Sequence, residues 1–365
     1  MPPPFALERW FAAHAGTRAV DLSSSGAPPR SLRGLLQLAT ASERAAFDAV
    51  ALGYGAPDGT QVLRAAIAER SPRGVTDDVM VTCGAIEALR LTIDALVEAG
   101  DEVIVQDPMY AAVAGLARAR GAVVRPWPLR PESRFTGSLD ELESLIGPRT
   151  VLVAITQPNS PTGSVIAEPE LDELVGLLAR RGIWLLSDEV YRELALAPAL
   201  VVPSAAGRSE RAVVVGDLAK PFGLGGLRIG WLIAHDGDVR VRIAAGRDYT
   251  TLSPPTPSVA LAEIALRHAD ALIARPLADA RANLEQLTAV CRRVPLSLCP
   301  PLAGVTAFPG LADAGQVQRK LADGGVLVVP GSLFGRSDRL RIGLAGSQGE
   351  FRMGLEKLEE ICSVP

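Results

Sequence analysis

From residue 79 to residue 234 the chain repeats one pattern, a short unbroken apolar run followed by a helical stretch with a single apolar face. Residues 79–83 precede 84–96, 102–106 precede 110–120, and 151–155 precede 168–181; the runs 183–187, 212–216 and 229–234 continue the series. Runs this apolar do not alternate, so they read as strands buried on both faces, and parallel strands need long crossovers of the kind the intervening helices supply. The pattern therefore predicts an α/β fold with a parallel sheet covered on both sides. In such sheets ligands bind beyond the carboxyl ends of the strands.

The chemistry-bearing residues stand at those ends. Lys220 lies in Asp217-Leu-Ala-Lys-Pro-Phe-Gly-Leu-Gly-Gly-Leu-Arg-Ile-Gly-Trp231, a glycine-rich connection between two apolar runs. Lysine is scarce: the chain has three, and Lys320 and Lys357 fall in polar helical patterns where they read as solvated charges. A lysine that forms a Schiff base must spend time as a neutral amine, which apolar surroundings and a nearby cation such as Arg228 favour. Arginine also suits a phosphate, which it grips with two parallel bonds.

Four further positions complete the pattern. Gly84-Ala85-Ile86 follows a strand and opens a helix, whose free N–H groups and positive dipole end suit a phosphate. Tyr110 puts an aromatic ring beyond the next strand, placed to stack on a planar ligand. Gln157-Pro-Asn-Ser-Pro-Thr-Gly163 is a rigid loop presenting Asn159 as a donor. Asp188 ends a strand too apolar to hold a carboxylate without a partner, and such a group can keep a pyridine nitrogen protonated, with Tyr191 in reach of the ring hydroxyl.

Length and composition bound the rest. At 365 residues the chain exceeds the usual single domain, so a large and a smaller domain are expected. After the repeated pattern, a helical stretch runs from 258 to about 287, and residues 304–308, 325–329 and 339–343 read as strands of a smaller α+β unit packing with the N-terminal arm. A net charge of −4 offers no footprint for nucleic acid or an acidic membrane. Four separated cysteines without a C-x-x-C pair and three histidines predict no metal site and a reducing compartment. The N-terminus lacks the pattern of a leader and no apolar stretch is long enough to span a bilayer, so a cytoplasmic location is expected.

Taken together, Tyr54-Gly-x-x-x-Gly59, Gly84-Ala-x-Glu-Ala88, Pro158-Asn-x-Pro-Thr-Gly163, Asp188-Glu-x-Tyr191 and Lys220-x-x-Gly-x-x-Gly-x-Arg228-x-Gly-Trp231 resemble the signature of class I/II aminotransferases, within the fold type I pyridoxal phosphate superfamily. The resemblance implies a large domain with a mostly parallel seven-stranded sheet (residues 35–270), a small α+β domain (271–365) and an arm (1–34) that joins the latter. It implies pyridoxal 5'-phosphate bound to Lys220, Asp188 on the pyridine nitrogen, Asn159 and Tyr191 on the ring hydroxyl, and Tyr110 stacked on the ring. Gly84, Ala85, Ile86 and Arg228 would hold the phosphate, and Arg341 would clamp the substrate carboxylate. Tyr54 would reach the phosphate of a neighbouring subunit, which implies a homodimer. Two positions depart from the family pattern: Asp217 stands where Ser or Thr usually bonds the phosphate, and Ala219 replaces a serine. An ionised Asp217 would repel a phosphate, so it is expected to turn away, to bond a backbone N–H, or to pair with Arg228.

Asp21-Leu-Ser-Ser-Ser-Gly26, Arg125-Pro-Trp-Pro-Leu-Arg-Pro-Glu132, Arg247-Asp-Tyr-Thr-Thr-Leu-Ser253, Gly304-Val-Thr-Ala-Phe-Pro309 and Gly325-Val-Leu-Val-Val-Pro-Gly331 carry a narrower likeness. They are similar to the capreomycidine synthase group, hydroxyarginine cyclases of streptolidine-type antibiotic pathways. This likeness implies a lyase-type cyclase that expels water from a 3-hydroxylated arginine and adds its guanidine intramolecularly. Ser25, Gly26 and Asn159 would touch the amino acid substrate, and acidic side chains or the Ser23, Ser24 and Ser25 hydroxyls are candidates for its guanidinium. The alternative is a plain aminotransferase that makes a keto acid. A non-catalytic regulator would need a nucleic-acid-binding module, which the sequence lacks.

Overall fold

The computed structural model describes residues 4–16 and 20–363; residues 1–3 and 17–19 of the expected arm and 364–365 of the expected small domain lie outside the described residues. Seven strands form the central sheet: β1 Val79–Thr82, β2 Glu102–Asp107, β3 Val123–Pro128, β4 Thr150–Thr156, β5 Trp184–Asp188, β6 Ala212–Asp217 and β7 Gly230–Ala234. Their spatial order is β1-β7-β6-β5-β4-β2-β3. All pairings are parallel except those of β7, which runs antiparallel to both β1 and β6. Because β7 is reversed, its starting end lies at the same sheet edge as the carboxyl ends of the others. Arg228, just before β7, thus joins Lys220, just after β6.

The strands are apolar on both faces because both faces are covered. Along β6, Ala212 and Val214 pack into one core cluster while Val213 and Val215 pack into the other. On β4, Val153 and Ile155 face the first and Leu152 and Ala154 the second. Each fully buried valine or leucine is worth roughly 1.5–3 kcal/mol against exposure, so one slip of register would forfeit several such side chains at once. The edge strand β3 is the exception that the apolar pattern does not reveal. It carries Pro126 and Pro128 and is largely exposed apart from Trp127, whose ring is 1% exposed and whose Nε1 donates to Ser138 O at 3.0 Å. Prolines are tolerated there because an edge strand has amides to spare.

Beyond the sheet, the stretch expected as one helix is two, Thr256–Arg267 and Ala269–Cys291, broken at His268, which caps both. Thr306–Ala307, Val329–Pro330 and Leu340–Gly343 form a three-stranded antiparallel sheet with Leu340–Gly343 in the middle. Val20–Asp21 pairs in parallel with Val326–Leu327, so residues next to the N-terminal helix Ala6–Ala13 are tied to the C-terminal part of the chain. Gly343 meets this segment closely: a Cβ there would lie 2.0 Å from Ser24 O. That contact carries the polar residues 21–26 over the carboxyl edge of the central sheet.

Candidate active site

A cavity of about 890 Å³ opens at the carboxyl edge of the sheet. Gly84, Tyr110, Asn159, Asp188 and Lys220 follow or end β1, β2, β4, β5 and β6 respectively. Of the expected residues, Ala85, Ile86, Tyr110, Asp188, Tyr191 and Lys220 line the cavity, as do Arg228, Arg341, Ser25 and Gly26.

Lys220 sits in the short helical turn Ala219–Phe222. The turn is started by Asp217, whose Oδ1 accepts from the amides of Ala219 at 3.0 Å and Lys220 at 3.2 Å. It is closed by Gly223 at φ +68, where a Cβ would meet Pro28 O at 2.1 Å. Of the outcomes expected for Asp217, bonding to backbone N–H groups is thus the one realised. Burial raises the proton affinity of its carboxyl, with Lys220, the two amides and Arg228 opposing. The Lys220 Nζ donates to Ser25 Oγ at 3.1 Å.

At the end of β5, Asp188 accepts at Oδ1 from Val190 N at 3.3 Å and makes no ion pair among the described residues. Burial pushes its pKa up to about 7, opposed by the Val190 amide and raised further by Asp217. A cationic partner in the cavity would reverse that shift.

Behind Ala85, Ile86 and Arg228, which line the cavity, two glycines let the arginine approach the helix terminus. Gly84 has φ +80 and precedes the helix Ala85–Leu96, whose first amides have no carbonyl partner within the helix. A Cβ on Gly84 would lie 2.4 Å from Arg228 Nη2, and one on Gly230 would lie 2.4 Å from Ala85 N. Only hydrogen at both positions lets the guanidinium and the helix terminus come together. Free amides beside a guanidinium make an anion site.

Arg341 is the buried cation of the cavity, 2% exposed. Its Nη2 donates to Ser23 O at 2.9 Å, its Nε has no partner, and it forms no ion pair among the described residues. It packs over Phe334 at 5.1 Å and Phe11 at 5.8 Å. Burial lowers its proton affinity, and Tyr191, Tyr110, Glu8 and Asp21 partly restore it. Buried charges ordinarily have partners, so this guanidinium is suited to an anionic ligand.

Three expected site residues do not line the cavity: Gly84, which stands just behind Ala85 and Ile86, Asn159 and Tyr54. Asn159 is buried inside its own loop: Nδ2 donates to Gln106 Oε1 and Pro108 O, both at 3.1 Å, and Oδ1 accepts from Thr162 Oγ1 at 2.7 Å. The Gln106 side chain and the Pro108 carbonyl, both from the segment at the end of β2, use up the amide's donors, and Thr156 and Ser160 line the cavity in its place. Tyr54 is 89% exposed and does not line the cavity of its own chain.

The N-terminal helix contributes residues that the motifs did not single out. Phe5, just ahead of it, and Glu8 and Phe11 within it recur every third position and all line the cavity. The Tyr110 hydroxyl donates to Glu8 Oε1 at 2.9 Å, and its ring lies 4.9 Å from that of Phe5. An acid set between two phenylalanines on one helical face was the signal available in the sequence. Asp21 also lines the cavity, accepting from Ser23 N at 2.8 Å and Ser23 Oγ at 2.6 Å.

Residues 24–358 match the family model "Aminotransferase class I and II". The chain is 38% identical to capreomycidine synthase of Streptomyces vinaceus over 98% of its own length and 93% of that protein. It is 30% identical to an arginine–pyruvate transaminase of Pseudomonas aeruginosa, covering 87% and 84% of the two chains. Among solved structures it superposes on the PLP-dependent cyclase OrfR with a TM-score of 0.89 at 33% identity, covering 99% of this chain and 97% of that one.

Proposed function

Because the chain belongs to the class I and II aminotransferase family and is a pyridoxal phosphate enzyme of fold type I, we propose that it cyclises a 3-hydroxylated arginine to a capreomycidine-like amino acid, with loss of water. The observation that carries this reading is the charge pattern of the cavity. One buried guanidinium, Arg341, lacks a carboxylate, while Glu8 and Asp21 line the same space without an ion pair among the described residues. A substrate carrying a carboxylate at one end and a guanidinium at the other complements both.

The residues present fit the cofactor. The amides of Ala85 and Ile86 and the Arg228 guanidinium, brought together by Gly84 and Gly230, would hold its phosphate. Asp188 would face the pyridine nitrogen, Tyr191 the ring hydroxyl, and Tyr110 the ring. Bound there, the cofactor supplies an electron sink for the bonds at the substrate Cα.

The chain's own groups do the rest. Arg341 fixes the substrate carboxylate, and Glu8 and Asp21 draw the guanidinium toward the N-terminal helix. Lys220 takes the proton from Cα and gives it to the hydroxyl, which leaves as water as the Cβ–O bond breaks. A guanidino nitrogen of the same molecule then adds at Cβ, helped by its tether, and gives up a proton to Lys220, which passes one back to Cα. The alternative, formation of a keto acid, is favoured by the likeness to the arginine–pyruvate transaminase.

Mass spectrometry of the holoenzyme with 3-hydroxyarginine, with and without a keto-acid acceptor, tests the reading. Loss of water without acceptor, in a product that keeps its amine, is expected. A keto acid formed only with acceptor overturns it.

Removing the carboxylate clamp by Arg341→Ala is expected to raise the substrate KM about hundredfold with a smaller change in kcat, since one partner of a buried charge pair is lost. Asp217→Ser is expected to tighten cofactor binding roughly tenfold in a titration of the apoprotein, by replacing an acid with a neutral donor beside the phosphate. Unchanged affinity would remove the repulsion argument.

We also read the enzyme as a cytoplasmic homodimer in which Tyr54 completes the neighbouring phosphate site. The reading is supported by the exposure of Leu52, Tyr54 and Tyr249, each at 85% or more, on the single chain. Sedimentation of the holoenzyme as a monomer would sink it. No described helix is long and apolar enough to cross a membrane.

A further inference from the structure

Ser25 bonds the one lysine of the cavity, and the segment that carries it is pinned at two points. Ala27 N donates to Lys220 O at 2.8 Å, and Gly26 lies against the Lys220 backbone, where a Cβ would be in ordinary contact with Lys220 Cα at 3.4 Å. On the other side, Ser23 O is held by Arg341. The Ser25 hydroxyl is therefore locked between the lysine's own main chain and the carboxylate-binding arginine. It is the only side-chain partner of Nζ among the described residues. The anion site beside Arg228 offers Nζ no such bond.

We infer that Ser25 is a positioning residue that decides reaction specificity, by tethering the Lys220 amine toward the substrate end of the cavity. The inference rests on the cyclase reading. In that reaction the Cα–H bond breaks and its proton moves to Nζ. The Cβ–O bond then breaks, and the departing hydroxyl takes this proton and leaves as water. When the guanidinium nitrogen bonds to Cβ it gives up a proton to Nζ, and Nζ passes a proton back to Cα. Every transfer thus lies between Nζ and substrate atoms, and one water is lost overall. A keto acid accompanied by pyridoxamine phosphate would form only if the proton went instead to the cofactor. A hydroxyl that holds Nζ over Cα and Cβ disfavours that transfer.

Two measurements on Ser25→Ala and Ser25→Thr test the tether. In the apoprotein, reductive methylation followed by mass spectrometry compares Lys220 with Lys320 and Lys357, the other two lysines, as internal references. Freed of its bond to Ser25, Lys220 in Ser25→Ala is expected to react several-fold faster relative to them, while Ser25→Thr stays near wild type. In the holoenzyme with 3-hydroxyarginine, the fraction of turnovers ending in keto acid and pyridoxamine phosphate is expected to rise about tenfold in Ser25→Ala, the worth of one hydrogen bond to a charged group. Threonine is expected to restore the wild-type partition. An unchanged methylation ratio, or an unchanged partition, overturns the inference. Should keto acid with pyridoxamine phosphate be the main product of the wild-type enzyme rather than a minor fraction, the cyclase reading fails, and the methylation ratio still reports separately whether Ser25 holds the lysine.

Discussion

Lys220→Ala is expected to abolish turnover, with a fall of at least about 10⁴-fold, because on the proposed function it removes both the covalent link to the cofactor and the group that moves the Cα proton. The protein should still fold. The turn that carries Lys220 is capped by Asp217 Oδ1 and closed by Gly223, and neither needs the lysine side chain. Dialysis is expected to strip the cofactor absorbance from the variant and not from the wild type, and a small primary amine should restore part of the activity. Lys357→Ala is the control, since that side chain pairs with Glu360 at 2.8 Å away from the cavity. A variant that kept more than a hundredth of wild-type turnover would remove Lys220 from the chemistry.

Asp188→Asn carries the second large effect. In the role proposed for it, the carboxylate must be ionised to hold a proton on the pyridine nitrogen, and asparagine cannot do so; kcat is expected to fall about 10²–10⁴-fold while cofactor binding survives. Stability should move the opposite way in the apoprotein. Burial raises the folded-state pKa of Asp188 to about 7 from an ordinary 3.8. The contribution of that group to stability is therefore fully present below about pH 4 and is lost as pH rises through about 7. Thermal unfolding of the apoprotein should show Asp188→Asn to be more stable than wild type at pH 8, by on the order of 4 kcal/mol at most, with the difference vanishing toward pH 4. Glu189 and Asp217, also raised by burial, titrate in both proteins, and because each couples to Asp188 their share of the difference runs in the same direction. A difference independent of pH would mean that Asp188 is not held as an unpaired buried acid.

Much of the cavity was legible in the linear order of residues. The apolar runs located six of the seven sheet strands, and the residues just past their ends gather at one edge as expected for Lys220, Asp188, Tyr110, Ala85 and Arg228. The strand that was missed, β3, is an edge strand whose prolines and exposed residues mask the apolar pattern. Asn159 was read as a free donor because its loop is rich in proline and glycine. The cost of burying that loop's polar groups instead committed its amide to Gln106 and Pro108. Glu8 and Asp21 were given no role of their own because nothing local says that the helix Ala6–Ala13 and the segment at Asp21 line the cavity.

The division follows from the range of the forces. Burial on both faces of a strand is written every few residues, so the sequence by itself determined a parallel, helix-covered sheet and the edge where its chemistry stands. Contacts such as Lys220 with Ser25, 195 positions apart, Arg341 with Ser23, 318 apart, and Tyr110 with Glu8, 102 apart, join segments with no local relation. Only the tertiary structure, by pairing Val20–Asp21 with Val326–Leu327, decided that the N-terminal segment closes over that edge and lends the site its acids and its serine.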